Sequence, residues 1–298
     1  MRARIRDTEI FFDVEGVGLS AEEDRMVERP TILVAHGGPG GDHTGFKPAL
    51  SPLTDRFQIV YWDHRGQGRS ARGPKDTYTL ENNVEDLEAL RQYLGLDQFI
   101  LLGTSYGGMV ALSYAVRYPQ HLSHLIAVVT AASSRFLDRA REVLAERGTP
   151  EQREVTETLW AGAFEDEAEL QHYFDTLGPL YSLKHDPEKA AKRWKRSILS
   201  VDPINHGFGT FLRTYDVLAD LPKITCPTLV IAGRHDWICP PDLSEEIVGQ
   251  IPQADLRIFE QSAHSVGGDE PELYLDTIRG FLTYNQHTRA RALERLRS

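Results

Sequence analysis

Cysteine is nearly absent: Cys226 and Cys239 are the two in 298 residues. Two cannot make a disulfide framework, and both are expected as free thiols in a reducing compartment. Basic charge is short as well, with 33 Lys and Arg against 44 Asp and Glu and a formal net charge of −11. A nucleic-acid binder needs a basic face to neutralise phosphate, and an anionic membrane would repel such a chain, so neither is an expected partner. No run of 18 apolar residues exists to span a bilayer. The N-terminus MRARIRDTEIFFDVEG has charge but no apolar signal-peptide core, so a cytoplasmic protein is expected. Internal repeats, low-complexity segments and His/Cys/Asp/Glu clusters with metal-ligand spacing are also missing, so no metal site is expected.

What remains is a globular composition, 41% hydrophobic and 26% charged. Short apolar runs at Ile32 to Ala35, Phe57 to Trp62, Phe99 to Leu102 and Leu125 to Val129 have the continuous pattern of strands buried on both faces of a parallel sheet. Between the second and third runs, Leu80, Val84, Leu87, Leu90 and Leu94 make one helical stripe that Gly95 stops. After the third comes YGGMVALSYAVRYP, a helix ended by Pro119. Such alternation implies a doubly wound, mostly parallel sheet.

From about Ser133 to Asp202 the strand pattern stops and amphipathic helices take over. Between Glu151 and Asp175 eight acids face one base, and between Lys184 and Arg196 six bases face two acids. These read as solvated faces that can pair with each other. Strands return at Thr228 to Ala232 and Leu256 to Phe259. The layout predicts an α/β core over 1–132 and 215–298 with a helical cap over 133–214. The basic stretch from Arg289 reads as a solvated helical end.

The chemistry sits at the ends of these strands. Gly103-Thr104-Ser105-Tyr106-Gly107 is a G-x-S-x-G motif between the strand FILL and an apolar helix, the context in which its serine is held exposed on a sharp turn. A serine hydroxyl is a weak nucleophile and needs a base, which needs an orienting acid, in the chain order Ser, acid, His. His264 follows the late strand LRIFE and is the candidate base. His121 and His124 precede a strand, His172 and His185 lie in the cap, His206 at its boundary, His235 beside the acid and His287 in the tail. Asp236 follows TLVIAGRH and is the candidate acid; Asp242 falls in the next helix's first turn, and Asp269 follows the histidine. The Tyr106 N–H and the Gly38 N–H, from the loop His36-Gly37-Gly38-Pro39-Gly40-Gly41, are the candidate oxyanion donors, with Gly37 of that loop beside the substrate. His36 reads as support for the loop. No Lys-Ser/Thr follows it, which excludes a P-loop. Asp63 and Arg65, in WDHRGQGRS, read as an ion pair pinning a tight turn.

HGGPGG, DHRGQGRS, GTSYGG and the Asp236 and His264 loops together resemble the proline iminopeptidase family of α/β-hydrolases. SYGGMVALSYAVRYPQHL is especially similar to the archaeal tricorn-interacting aminopeptidases. The resemblance implies an α/β-hydrolase fold with a helical cap insertion, no cofactor, and release of N-terminal residues, often proline, from short peptides. Family members hold the substrate's amine with glutamates, and Arg234 and Asn205 stand at those positions. Arg234 would repel an ammonium. Either another acid, near Glu165-Asp166-Glu167, holds the amine, or the substrate is an ester, amide or lactone without one, with Arg234 facing a carboxylate. Oligomeric state is not legible.

Overall fold

The computed structural model describes residues 1–283, so the basic stretch from Arg289 lies outside the described residues. Among the described residues there are ten strands: β1 (Arg2–Ile5), β2 (Thr8–Glu15), β3 (Leu19–Glu22), β4 (Arg25–Glu28), β5 (Thr31–Ala35), β6 (Gln58–Trp62), β7 (Phe99–Thr104), β8 (Leu122–Val128), β9 (Thr228–Gly233) and β10 (Ala254–Phe259). Eight form one sheet in the order β1-β2-β6-β5-β7-β8-β9-β10, and β3 and β4 form a separate hairpin. β1 and β2 are antiparallel additions to an otherwise parallel sheet.

The six runs read from sequence are all strands; the five inner ones are apolar on both faces, and β10, at the sheet's edge, is exposed at Asp255 and Arg257. Leu33, Ala35, Leu101 and Val230 point to one face, where they join Leu87 of α1 (Leu80–Tyr93), Val110 of α2 (Tyr106–Arg117) and Ile247 of α8 (Pro241–Gln250). Ile32, Val34, Ile100 and Ile231 point to the other, against Tyr274, Ile278 and Leu282 of the helix over 271–283. Each fully buried Leu, Ile or Val contributes about 1.5–3 kcal/mol. α1 starts where Thr79 accepts the Asn82 N–H at 3.1 Å and stops at Leu94, followed by Gly95 at φ +68°.

Between β8 and β9 lie α3 (Arg135–Arg147), α4 (Pro150–Ala161), α5 (Glu167–Tyr181), α6 (Pro187–Trp194) and α7 (Val201–Gly209). α4 opens with a capping box of Thr149 and Gln152 plus Pro150, and ends on Gly162 in the left-handed conformation. The acidic and basic segments do not pair charge to charge. The hydrogen bond between them runs from Trp194 Nε1 to Asp175 Oδ1 at 2.7 Å. α9 (Val266–Asp269) follows β10.

The turn after β6 is pinned, but not by Asp63 with Arg65. Arg65 makes a two-pronged bond to Asp86 of α1, at 2.8 and 2.7 Å, and pairs with Asp7 at 2.7 Å. Asp63 accepts from the His43 N–H, His43 Nδ1 and the Arg69 N–H, each at 2.8 Å. Both side chains are buried, and each finds its partners on a different neighbouring segment. Among the described residues no helix is long and apolar enough to cross a membrane.

Candidate active site

The carboxyl ends of β5, β7, β9 and β10 surround a cavity of about 570 Å³, roofed by residues of α5, α6 and α7. That is an ordinary size for a small-ligand site. Ser105 lines it, at the junction of β7 and α2, with φ 56° and ψ −123°. A non-glycine residue with positive φ is strained, and such strain survives where the surroundings over-determine it. Here the Ser105 N–H is bonded to Val128 O at 2.9 Å, and its carbonyl accepts Thr130 Oγ1 at 2.7 Å. Gly107 lets α2 sit against β5, since a Cβ there would stand 2.1 Å from the Ala35 carbonyl oxygen.

His264 also lines the cavity, in the loop after β10, and its Nδ1 is 2.7 Å from Asp236 Oδ2. Asp236 is buried in the loop after β9. Its other oxygen accepts the N–H groups of Ile238 and Cys239 at 2.9 and 3.0 Å, which fixes the carboxylate's direction. With the proton on Nδ1, as a carboxylate neighbour requires, Nε2 is the basic nitrogen. Asp242, the rival acid on α8, is taken up by Arg139 of α3 at 2.9 Å.

Gly37 and Gly38 line the wall opposite. A Cβ on Gly37 would stand 3.2 Å from Ser105 Cβ, which places this backbone against the serine. Gly38 has φ +133°, and a Cβ there would meet the Gly40 N at 2.7 Å, so the loop requires glycine. His36 is buried beneath it, with Nδ1 2.8 Å from Gly37 O and Nε2 accepting the His64 N–H at 3.1 Å. Burial lowers the pKa of His36 and lowers that of His64 further, where His36 adds to the effect.

Arg234 and Asn205 are not brought to this cavity. The Arg234 guanidinium is exposed and bonded by two nitrogens to Glu260 at 2.8 and 2.7 Å. The parallel register that pairs Gly233 with Phe259 sets these next residues side by side. The Asn205 amide is used up on one backbone, accepting the Phe164 N–H at 3.0 Å and donating to Phe164 O at 2.7 Å. Glu165, Asp166 and Glu167 are exposed and away from the cavity.

Tyr181 and Trp237 at the site carried no sequence signal. Tyr181 of α5 sets its ring edge-on to His264 at 5.5 Å, and Trp237 does the same to Tyr181. Asp269 is buried and ties the His264 loop to the end of α5. It accepts the Ala263 N–H at 2.9 Å, Ser182 Oγ at 2.6 Å and the Lys184 N–H at 3.1 Å. Cys226 and Cys239 are free and buried, and burial pushes the Cys226 thiol up to about 11 and Cys239 well above its usual value. Among the described residues no group of His, Cys, Asp and Glu could hold a metal ion.

A family model described as alpha/beta hydrolase fold matches residues 30–271. The proline iminopeptidase PfmaB of Pestalotiopsis fici is 33% identical over 278 residues, covering 91% of this chain and 98% of its own. The crystal structure of a proline iminopeptidase from Mycobacterium smegmatis shares the fold, with a TM-score of 0.75 and 22% identity over 97% of this chain and 99% of its own. A thermophilic esterase from Thermogutta terrifontis aligns with a TM-score of 0.73 and 27% identity over 96% of this chain and 99% of its own.

Proposed function

Because the chain belongs to the proline iminopeptidase family of α/β-hydrolases, we propose that it is a serine hydrolase releasing N-terminal residues, proline among them, from short peptides. The observation that carries this reading is the 2.7 Å pair of His264 and Asp236 on the same cavity as the strained Ser105.

In this reading Ser105 Oγ attacks the acyl carbonyl while His264 Nε2 takes its proton and Asp236 stabilises the imidazolium. Negative charge develops on the former carbonyl oxygen. The Gly38 and Tyr106 N–H groups receive it, and neither has another acceptor among the described residues. Tyr106 is also the first residue of α2, where the helix dipole favours that charge. His264 then returns the proton to the leaving nitrogen as its bond to carbon breaks. Water, deprotonated by His264, attacks the acyl-enzyme and restores Ser105. No step uses a metal or cofactor.

One observation favours a second reading, an esterase or amidase for substrates without a free amine. Of the charged groups on the cavity wall, the two acids, Asp42 and Asp186, are both already hydrogen-bonded. L-Prolyl-4-nitroanilide, its N-acetyl form and 4-nitrophenyl butyrate separate the two. An aminopeptidase loses about 10-fold or more in kcat/KM on acetylation, the worth of one charge-assisted hydrogen bond to the amine. Equal turnover of the acetylated anilide together with fast ester hydrolysis supports the second reading. No turnover of any of the three defeats both.

A further inference from the structure

The N-cap residue Asp186 and, on α6, Lys189, Ala190 and Arg193 line the cavity, the i, i+3, i+4, i+7 spacing of one helical face. None of the residues of α6 is buried, so this face lines the cavity without belonging to the core and is open to solvent. Most of its charges are already spoken for. Asp186 accepts the Glu188 and Lys189 N–H groups and stands 3.7 Å from Lys189 Nζ. Nearby, Lys184 donates to the Asp269 carbonyl, and Asp42 pairs with Arg69 at 2.9 Å while accepting the Ile198 N–H.

Arg193 differs. Its guanidinium lies over the Trp194 ring, 4.6 Å from the centroid, and has no carboxylate within ion-pair distance among the described residues. Surrounding protein strips enough water from it to lower its pKa, although Asp42 and Asp175 pull the other way. The residue as a whole is nonetheless exposed, and it lines the cavity. The segment just after α6 fixes its position. Arg196 O accepts from Arg69 at 2.9 Å, Ser197 Oγ meets Thr44 Oγ1 at 3.0 Å, and the Ser200 N–H donates to Gly40 O at 2.9 Å. Arg193 is thereby moored to the glycine loop that approaches Ser105. A partly desolvated guanidinium, reachable and lacking an anion, matches a carboxylate in charge and in its planar pair of donors.

We propose that Arg193, supported by Lys189, is a carboxylate subsite in the roof of the cavity, and that the substrate carries a free carboxylate on the acyl or the leaving-group side of the bond cleaved at Ser105. The proposal rests on the serine-hydrolase reading of the site and holds for a peptide or an ester.

Two matched substrate pairs test it and separate the two positions of the carboxylate. 4-Nitrophenyl hydrogen glutarate against 4-nitrophenyl valerate probes the acyl side; L-prolylglycine against L-prolylglycinamide probes the leaving group. The carboxylate member of one pair is expected to lead by about 10- to 100-fold in kcat/KM. In Arg193→Gln that ratio falls toward one. Ratios near one in both wild-type pairs, or a ratio unmoved in Arg193→Gln, overturn the proposal. Glutarate binding by calorimetry, to Ser105→Ala and to Ser105→Ala with Arg193→Gln, gives a readout without turnover, and equal binding overturns it too. Failure of the serine-hydrolase reading looks different, with Ser105→Ala retaining full rates while the Arg193 effect persists.

Discussion

Ser105 holds a backbone conformation, φ 56° and ψ −123°, that costs an L-residue about 1–3 kcal/mol. Glycine would adopt it freely, so the serine is retained against local preference, which fits a residue kept for its hydroxyl. Ser105→Ala keeps the strain and removes the proposed nucleophile, and a loss on the order of 10⁴-fold in kcat is expected with the fold intact. Ser105→Gly is equally inactive but more stable than Ser105→Ala by about 1 kcal/mol, because only the alanine retains a Cβ at this φ. Urea titrations of the two variants check this, and equal stabilities would show that the turn is not strained. The motif with its flanking strand and helix was enough to locate this residue. Arg193 could not be located that way, since a basic helix face looks the same whether it meets water or a cavity.

Among elements, the joint between the β1–β2 turn, the turn after β6 and α1 is the most exposed to a single substitution. Asp86 is fully buried and holds Arg65, whose side chain is 4% accessible, as well as Arg6 at 2.9 Å. Burial works against the Arg65 charge, yet the bonds to Asp86 and Asp7 raise its pKa. Asp86→Ala leaves a buried guanidinium without its main partner and is expected to destabilise the protein by about 3–5 kcal/mol. Chemical denaturation reads this directly; a loss under about 1 kcal/mol would mean that Arg65 finds another acceptor or water. The sequence suggested an ion pair within the turn because Asp63 and Arg65 are near neighbours. Both lie beyond Trp62, where β6 has ended, so strand spacing does not set their directions, and Asp63 is taken by His43 while Arg65 is taken by Asp86. The antiparallel β1 and β2 and the β3–β4 hairpin left no comparable trace, since their polar alternation resembles an ordinary surface segment.

For the whole molecule, the buried histidines beneath the glycine loop link folding to pH. His36 and His64 both have folded pKa values below the ordinary one, because burial disfavours their charged forms. Below about pH 6.5 the unfolded chain takes up protons there that the folded chain refuses, so stability falls as pH falls. Above that pH both states are neutral at these positions and the effect vanishes. Each histidine contributes up to about 1.4 kcal/mol per pH unit. Urea midpoints between pH 7.5 and 5.5 should decline in the wild type and decline less steeply in His64→Gln. Parallel declines would assign the acid sensitivity to other groups.

The alternation of buried strands and helices, the serine turn, and the late loops carrying Asp236 and His264 were determined by sequence alone. Each is local, resting on apolar period, a cap or a glycine within a few residues, and each local preference agrees with the final fold. The partners were decided by tertiary structure. Arg234 turns to Glu260 because β10 lies parallel to β9 in the register that sets them side by side. Asn205 closes on Phe164 because α7 packs beside α4. Which charges are left to face Ser105's cavity therefore depends on contacts between segments far apart in the chain, and side-chain hydrogen bonds at that range follow from packing, which no local pattern specifies.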